Sequence, residues 1–118
     1  MLFAPTTPLL EQWRTLMIRN RQHQGGDPFV GRHLRRLLLE AGFVRVEGSS
    51  STDNAGSQEE TRSIAAFFKT WSVHTPLTEG WVTQATVNAI MAEFDVWAER
   101  PDAFYVTTFC EAVGWRGD

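Results

Sequence analysis

The sequence predicts a single α+β domain over residues 1–118, with about four helices and one antiparallel pair of strands. Four segments carry apolar residues at helical spacing, whereas two segments resemble strands in their alternation or their β-branched and aromatic content. A chain of 118 residues, 42% of them hydrophobic and 21% charged, suits one globular core. We therefore expect a core formed mainly by helices.

The first helix is predicted over residues 8–23. Thr7 followed by Pro8 is a typical helix start, because the cap accepts a backbone hydrogen bond and proline already has a helical φ. Trp13 and Met17 belong to an apolar stripe at helical spacing. A glycine pair two residues after the helix marks its end.

The second helix is predicted over residues 28–41, and the first strand follows at once over residues 43–48. Asp27 and Pro28 repeat the start signal, and Gly42 provides the stop. In FVRVEG, apolar and charged residues alternate as in a half-buried strand. The helix is expected to bury one apolar stripe, consisting of Phe29 or Val30, Leu34, Leu37, Leu38 and Ala41.

The rest of the chain predicts a loop, two further helices and a long strand. Residues 48–57 are turn formers with almost nothing to bury, so we predict a surface loop. Ser57 with a glutamate three residues later forms a capping box that starts a helix over residues 58–72. A helix over residues 83–99 follows, and β-branched and aromatic residues predict a strand over residues 103–113.

The composition excludes several classes of protein. A net charge of -3 without a large basic patch argues against a nucleic-acid partner. No apolar run approaches the roughly 20 residues that cross a bilayer, and the opening residues do not resemble a secretory signal. Cys110 is the only cysteine, which rules out an internal disulfide and a metal site of several thiolates. We expect a protein of the reducing cytoplasm, without a nucleic-acid or membrane partner.

Isolated titratable residues do not indicate catalysis. The histidines form no pair of ligands on one helix face, so solvated side chains and no metal site are expected at His23, His33 and His74. Arg32, Arg35 and Arg36 are candidates for an anion site. Because Arg36 lies one helical turn from Glu40, a solvated face with ordinary ion pairs is the simpler interpretation.

Two segments resemble one known family. GGDPFVGRHLRRLLLEAGFVRVEG, Gly25 to Gly48, and RPDAFYVTTFCEAVGWR, Arg100 to Arg116, are similar to the C-terminal part of class I S-adenosylmethionine-dependent methyltransferases of type 11, which are related to the ubiquinone and menaquinone biosynthesis enzymes. The resemblance implies that the first segment is the helix leading into strand six. It implies that the second is antiparallel strand seven, which lies between strands five and six in the family. The helices between them, residues 58–100, would then lie over the substrate side.

The resemblance also implies that the cofactor-binding half of the sheet is missing. The family binds S-adenosylmethionine with a glycine-rich turn after strand one, and no G-x-G occurs in this chain. The expected protein is therefore a fragment or a truncated gene product, with no cofactor site and no catalytic residues of its own. The resemblance leaves open whether this chain forms part of an active enzyme.

By analogy with the family, five residues are expected to face a small-molecule methyl acceptor. They are Met17, Asn20 and Arg21 of the first helix and Phe67 and Trp71 of the third. Plain core packing is the alternative for each of them.

Loss of the strand-five neighbour also predicts self-association. We expect a homodimer that covers the edge of the strand Ala103 to Val113 together with aromatic surface. Two other functions stay open. One is a non-enzymatic module whose aromatic pocket binds a small molecule or a protein, and the other is a helical interaction protein that resembles the family by chance.

Overall fold

The protein consists of five helices and a three-stranded sheet, and the computed structural model describes all residues 1–118. The predicted α+β class is confirmed. A short 3-10 helix, Val30–His33, precedes the second helix. In chain order, the helices and strands are β1 Leu2–Ala4, α1 Pro8–His23, α2 Leu34–Glu40, β2 Arg45–Ala55, α3 Gln58–Lys69, α4 His74–Thr78, α5 Gln84–Ala98 and β3 Phe104–Trp115.

The sheet is antiparallel throughout and has the order β1-β3-β2. On one side of β3, β2 pairs without interruption from Arg45 opposite Trp115 to Ala55 opposite Tyr105. On the other side, β1 covers only residues 104–106. Residues 107–115 of β3 therefore have no strand partner along that edge.

The core lies between β1, the helices α1, α3, α4 and α5, and the first residues of β3; we call this part the body. Its largest fully buried side chains are Trp13, Trp97, Phe68, Phe94, Leu10 and Ile90. The ring of Phe3 lies 5.3–5.9 Å from four aromatic rings of α3, α5 and β3. The indole nitrogen of Trp97 donates a hydrogen bond of 3.2 Å to the carbonyl oxygen of Ala4. These contacts attach β1 firmly to α5.

The rest of the sheet, residues 45–54 and 106–115, projects from the body with α2 on one face; we call this part the ribbon. It gives the molecule principal extents of 56 × 36 × 19 Å and a radius of gyration of 17.5 Å. A compact chain of this length has a radius of about 13 Å. The ribbon is therefore a true projection.

The structure corrects the prediction of a surface loop over residues 48–57, because β2 continues to Ala55. Sequence patterning missed this strand since only Val46 and Ala55 are buried, which leaves no alternation to detect. The pairing comes instead from β3, about 60 residues away in sequence. The hydroxyls of Ser49 and Ser51 support it by donating hydrogen bonds of 3.3 and 2.8 Å to the Glu111 carboxylate.

The second predicted helix is also corrected. Residues 28–41 form a turn, a 3-10 helix and only seven residues of α-helix, and no residue of α2 is buried. The expected apolar stripe is half-buried at Leu34 and Leu38 and exposed at Leu37. Because α2 rests on a sheet of two strands and nothing covers its outer side, the stripe cannot be enclosed.

Smaller differences concern bounds and short elements. The helix predicted over residues 58–72 ends at Lys69, the helix predicted over 83–99 spans Gln84–Ala98, and the strand predicted over 103–113 continues to Trp115. The sequence did not predict α4 or the third strand, β1. None of the helices combines the length and the apolar character required to cross a membrane.

Candidate functional site

The five predicted acceptor residues occupy different environments within the body. Met17 is buried in the core, Asn20 is partly buried, and Arg21 is exposed. The rings of Phe67 and Trp71 lie 5.7 Å apart, and Phe67 keeps 53% of its surface exposed. The structure thus brings the ring of Phe67, on α3, against that of Trp71, two residues beyond the end of α3, and leaves Arg21 on the surface.

Trp13 connects α1 with the segment that follows α3. Its ring centroid lies 6.0 Å from that of Trp71, and it precedes Met17 by one turn of α1. The indole nitrogen of Trp13 and the amide oxygen of Asn20 are both buried without a hydrogen-bond partner. They are seven residues apart, which places them on one face of α1. This pair of unpartnered polar groups was not foreseen from the sequence, because Trp13 there appears only as a core residue.

A cavity of about 310 Å³ opens where β2 passes into α3. Its lining includes three carboxylate side chains, those of Asp53, Glu59 and Glu60, together with Tyr105. Burial raises the pKa of the Tyr105 phenol, so it is protonated at neutral pH. The predicted acceptor residues do not line this cavity. Nothing in the sequence patterning indicated it, because residues 53–55 were interpreted as loop.

A strand also meets a helix at the junction of β2 and α3, through Gly56. A cofactor-binding turn at such a junction needs free backbone N–H groups. The side chain of Glu60 already accepts hydrogen bonds from the backbone N–H groups of Gly56 and Ser57, at 3.4 and 3.1 Å. The Ser57 hydroxyl in turn accepts from the N–H of Glu60 at 3.2 Å. These donors are therefore occupied by the chain itself, and the junction does not fit the carboxylate of S-adenosylmethionine.

The charge state of Glu60 agrees with this arrangement. Hydrogen bonds from the Ser57 side chain, and secondly from the backbone of Gly56, lower the pKa of the Glu60 carboxyl below its usual value. It is thus a carboxylate at neutral pH and completes a capping box. The partial positive charge at the N-terminus of α3 is thus balanced by a carboxylate of the same helix.

The ribbon has one covered face and one bare face. On the covered face, Arg35 Nε donates a hydrogen bond of 3.2 Å to the carbonyl oxygen of Val46. Phe43 packs so closely on Gly114 that an added Cβ would lie 2.8 Å from its ring. The bare face carries an apolar row on β3 that is largely exposed: Phe109, Val113 and Trp115. The ribbon therefore combines an exposed apolar row with an unpaired strand edge beside it.

The flank of the bare face is charged. The guanidinium of Arg45 lies 3.8 Å above the ring of Trp115 and within 3.9 Å of the Glu47 carboxylate. At the middle of the row, the Glu111 carboxylate is held by the two serine hydroxyls of β2. The row is therefore apolar at both ends and carries one negative charge at its centre.

Comparison with models of known protein families gives no match for this chain, and a search of curated proteins gives none either.

Proposed function

We propose that this chain is the C-terminal, acceptor-covering part of a small-molecule S-adenosylmethionine-dependent methyltransferase, and that it is not catalytic alone. The observation that carries the proposal is the unfinished ribbon. Two antiparallel strands have a helix on one face only, and nine residues of β3 have no neighbour along one edge. A ribbon of this kind is expected where further strands and a second helical layer complete a sheet.

The order of elements supports the same proposal. α2 leads into β2, a helical segment follows, and β3 returns antiparallel beside β2. This is the order that the resemblance implies for strands six and seven with helices inserted between them. In the proposal, the open edge at residues 107–115 is where strand five would pair, and β1 occupies the end of that position at residues 104–106. The exposed lone Cys110 suits a cytoplasmic location.

In this role, the helices of the body would orient the acceptor and exclude water. Phe67 and Trp71 offer aromatic surface to a flat acceptor. The fully buried ring of Trp13 supports Trp71 from within the core, with 6.0 Å between their centroids. Positioning and water exclusion are the main demands of a methyl transfer between small molecules. The chain itself supplies no site for the cofactor in this proposal.

The alternative function is a binding module without enzymatic activity. The exposed ring of Phe67 beside Trp71 is the observation that favours it, because such a pair can hold a flat apolar ligand unaided. This alternative requires ligand binding by the chain alone, whereas the first proposal requires a second polypeptide.

Calorimetric titration distinguishes these functions. S-adenosylmethionine is titrated first into the chain alone and then into an equimolar mixture with the separately expressed cofactor-binding half, strands one to five, of a type 11 methyltransferase. We expect no heat from the chain alone, a 1:1 complex with the added half, and tighter cofactor binding by that complex than by the half alone. Micromolar binding to the chain alone would overturn the absence of a cofactor site, and failure to form a complex would overturn the methyltransferase proposal.

The acceptor surface is tested by a matched pair of variants in the complex. Phe67→Ala should weaken binding of an aromatic acceptor, whereas Val96→Ala on α5, a residue that is 62% exposed, should leave it unchanged. If a flat aromatic compound raises the melting temperature of the chain without the added half, and Phe67→Ala abolishes the rise, the binding-module function is supported instead.

A further inference from the structure

We infer that this chain forms a twofold dimer in which the open edges of two β3 strands pair antiparallel, with Ala112 opposite Ala112 of the second copy. The inference rests on the edge geometry of β3 and not on the proposed function. It names the occupant of the edge when no other polypeptide fills it.

The open edge has the properties of a strand that pairs with another chain. Residues 107–115 form a regular strand, without proline or lysine and with Glu111 as the only charged side chain. Native proteins usually protect exposed edges with charges, proline or bulges. This edge has no such protection, and its pairing with β2 on the other side is free of bulges.

β1 limits which registers a second copy can adopt. It pairs with residues 104–106 on the same side of β3, so an incoming strand must end before it reaches Val106. If two copies were centred on Cys110, Gly114 and Trp115 of the second copy would fall opposite Val106 and Tyr105. Those positions already face Leu2 and Phe3. The centre of a twofold pairing must therefore lie at residue 111 or beyond.

Charge and side-chain pairing select among the remaining registers. Directly opposed residues of an antiparallel pair have side chains on the same face of the sheet. The twofold axis must therefore pass between one residue and the same residue of the second copy. A centre at Glu111 places two carboxylates opposite each other, which destabilises strand pairs. A centre at Ala112 places Phe109 opposite Trp115 of the second copy, twice by symmetry. It also opposes Glu111 with Val113, so like charges do not meet directly.

The centre at Ala112 also retains the longest pairing that avoids both obstacles. Residues 109–115 of each copy pair, and two residues, Thr107 and Thr108, separate the second copy from β1. A centre further along β3 shortens the pairing and separates the aromatic rings. The joined sheet carries both α2 helices on one face and brings the apolar rows of the two bare faces together on the other.

Sedimentation velocity at micromolar concentration tests the association. We expect a dimer for the unmodified chain and at least a tenfold weaker association for Phe109→Lys, because its ring loses Trp115 of the second copy. Val96→Lys is the matched control, since it adds the same charge at an exposed site of α5 and should stay dimeric. Circular dichroism verifies that the variants fold. A monomeric unmodified chain, or equal weakening by both variants, would overturn the inference.

Disulfide trapping tests the register independently. In an antiparallel pair, opposed Cα atoms lie about 4.5–5.5 Å apart, within the range that a disulfide spans. Ala112→Cys, in a Cys110→Ala background, should therefore form a covalent dimer under mild oxidation. Native Cys110 should not, because Gly114 of the second copy lies opposite it. Trapping through Cys110 and not through residue 112 would contradict the proposed pairing.

Discussion

The body and the ribbon differ most clearly along β3, a single strand that belongs to both. At its start, Tyr105 is 4% exposed and lies 5.3 Å from the rings of Phe3 and Phe68. Further along, Phe109 and Val113 are more than half exposed on the same face of the sheet. The residue types are similar, but only the first part has helices to pack against. Apolar character in a strand thus does not by itself produce burial.

The two regions also use different interactions. The body is held by a continuous aromatic cluster with edge-to-face and stacked contacts, which combines a large buried area with defined geometry. The ribbon is held mainly by its ladder of backbone hydrogen bonds and by contacts with α2. We therefore expect the stability of the isolated chain to reside in the body, and the capacity for association to reside in the ribbon.

The largest expected difference comes from removing one aromatic ring in each region. Trp97→Ala removes a fully buried indole and its hydrogen bond to Ala4, and should lower the free energy of unfolding by about 3–5 kcal/mol. Phe109→Ala removes an exposed ring and should change the unfolding of the monomer by less than about 0.5 kcal/mol. Urea titration at a protein concentration below the association range measures both.

Similar losses of unfolding free energy for the two variants would contradict this division between body and ribbon. They would mean that the ribbon unfolds together with the body and contributes as much burial as the body does. Repeating the titration at high protein concentration adds a control, because Phe109→Ala should then become destabilising through the dimer alone.

A second comparison lies within the ribbon, between two glycines. Gly114→Ala would place a methyl group 2.8 Å from the ring of Phe43 and should destabilise the ribbon by about 1–3 kcal/mol. Gly48→Ala meets only the carbonyl oxygen of Glu111 at 3.8 Å, an ordinary contact, and should be close to neutral. Hydrogen exchange of the amides in β2 reports the effect locally. Equal protection in both variants would show that Phe43 moves aside freely.

The sequence predicted the body better than the ribbon, for a physical reason. The helix starts at Pro8 and Gln58 depend on caps within a few residues, and both are found where the sequence placed them. The strand through residues 48–55 depends on a partner distant in the chain, and its serines and glycine carry no local signal. Burial of the apolar stripe of α2 would require another element to pack against it, and no residue of α2 is buried. Local patterning cannot report either condition.

The candidate site shows the same division. Phe67 and Trp71 are two of the five residues predicted to face the acceptor, and their rings are in contact. The unpartnered atoms of Trp13 and Asn20 become buried only when other parts of the body pack on α1. The acidic cavity forms only when Tyr105 of β3 comes beside the end of β2 and the start of α3. Such features follow from the assembled body and not from any one segment.

The smallest expected effect concerns the cap at the point where the ribbon joins the body. Ser57→Ala removes the hydroxyl that accepts from the Glu60 N–H, and should lower the free energy of unfolding by about 1 kcal/mol at neutral pH. Thr83→Ala is the matched control, because Thr83 caps α5 through the N–H of Thr86 without a carboxylate partner.

The two variants should differ in acid. Because the folded-state pKa of Glu60 lies below its unfolded value, its contribution to stability is present above the unfolded pKa and is lost as the pH falls through the folded pKa. Ser57→Ala removes the main cause of that shift, so its destabilisation should be greatest above about pH 5 and shrink in more acidic solution. The effect of Thr83→Ala should not change over the same range. Urea titrations at several pH values measure both, and a Ser57→Ala effect as independent of pH as the control would show that the cap acts through its neutral hydrogen bond alone.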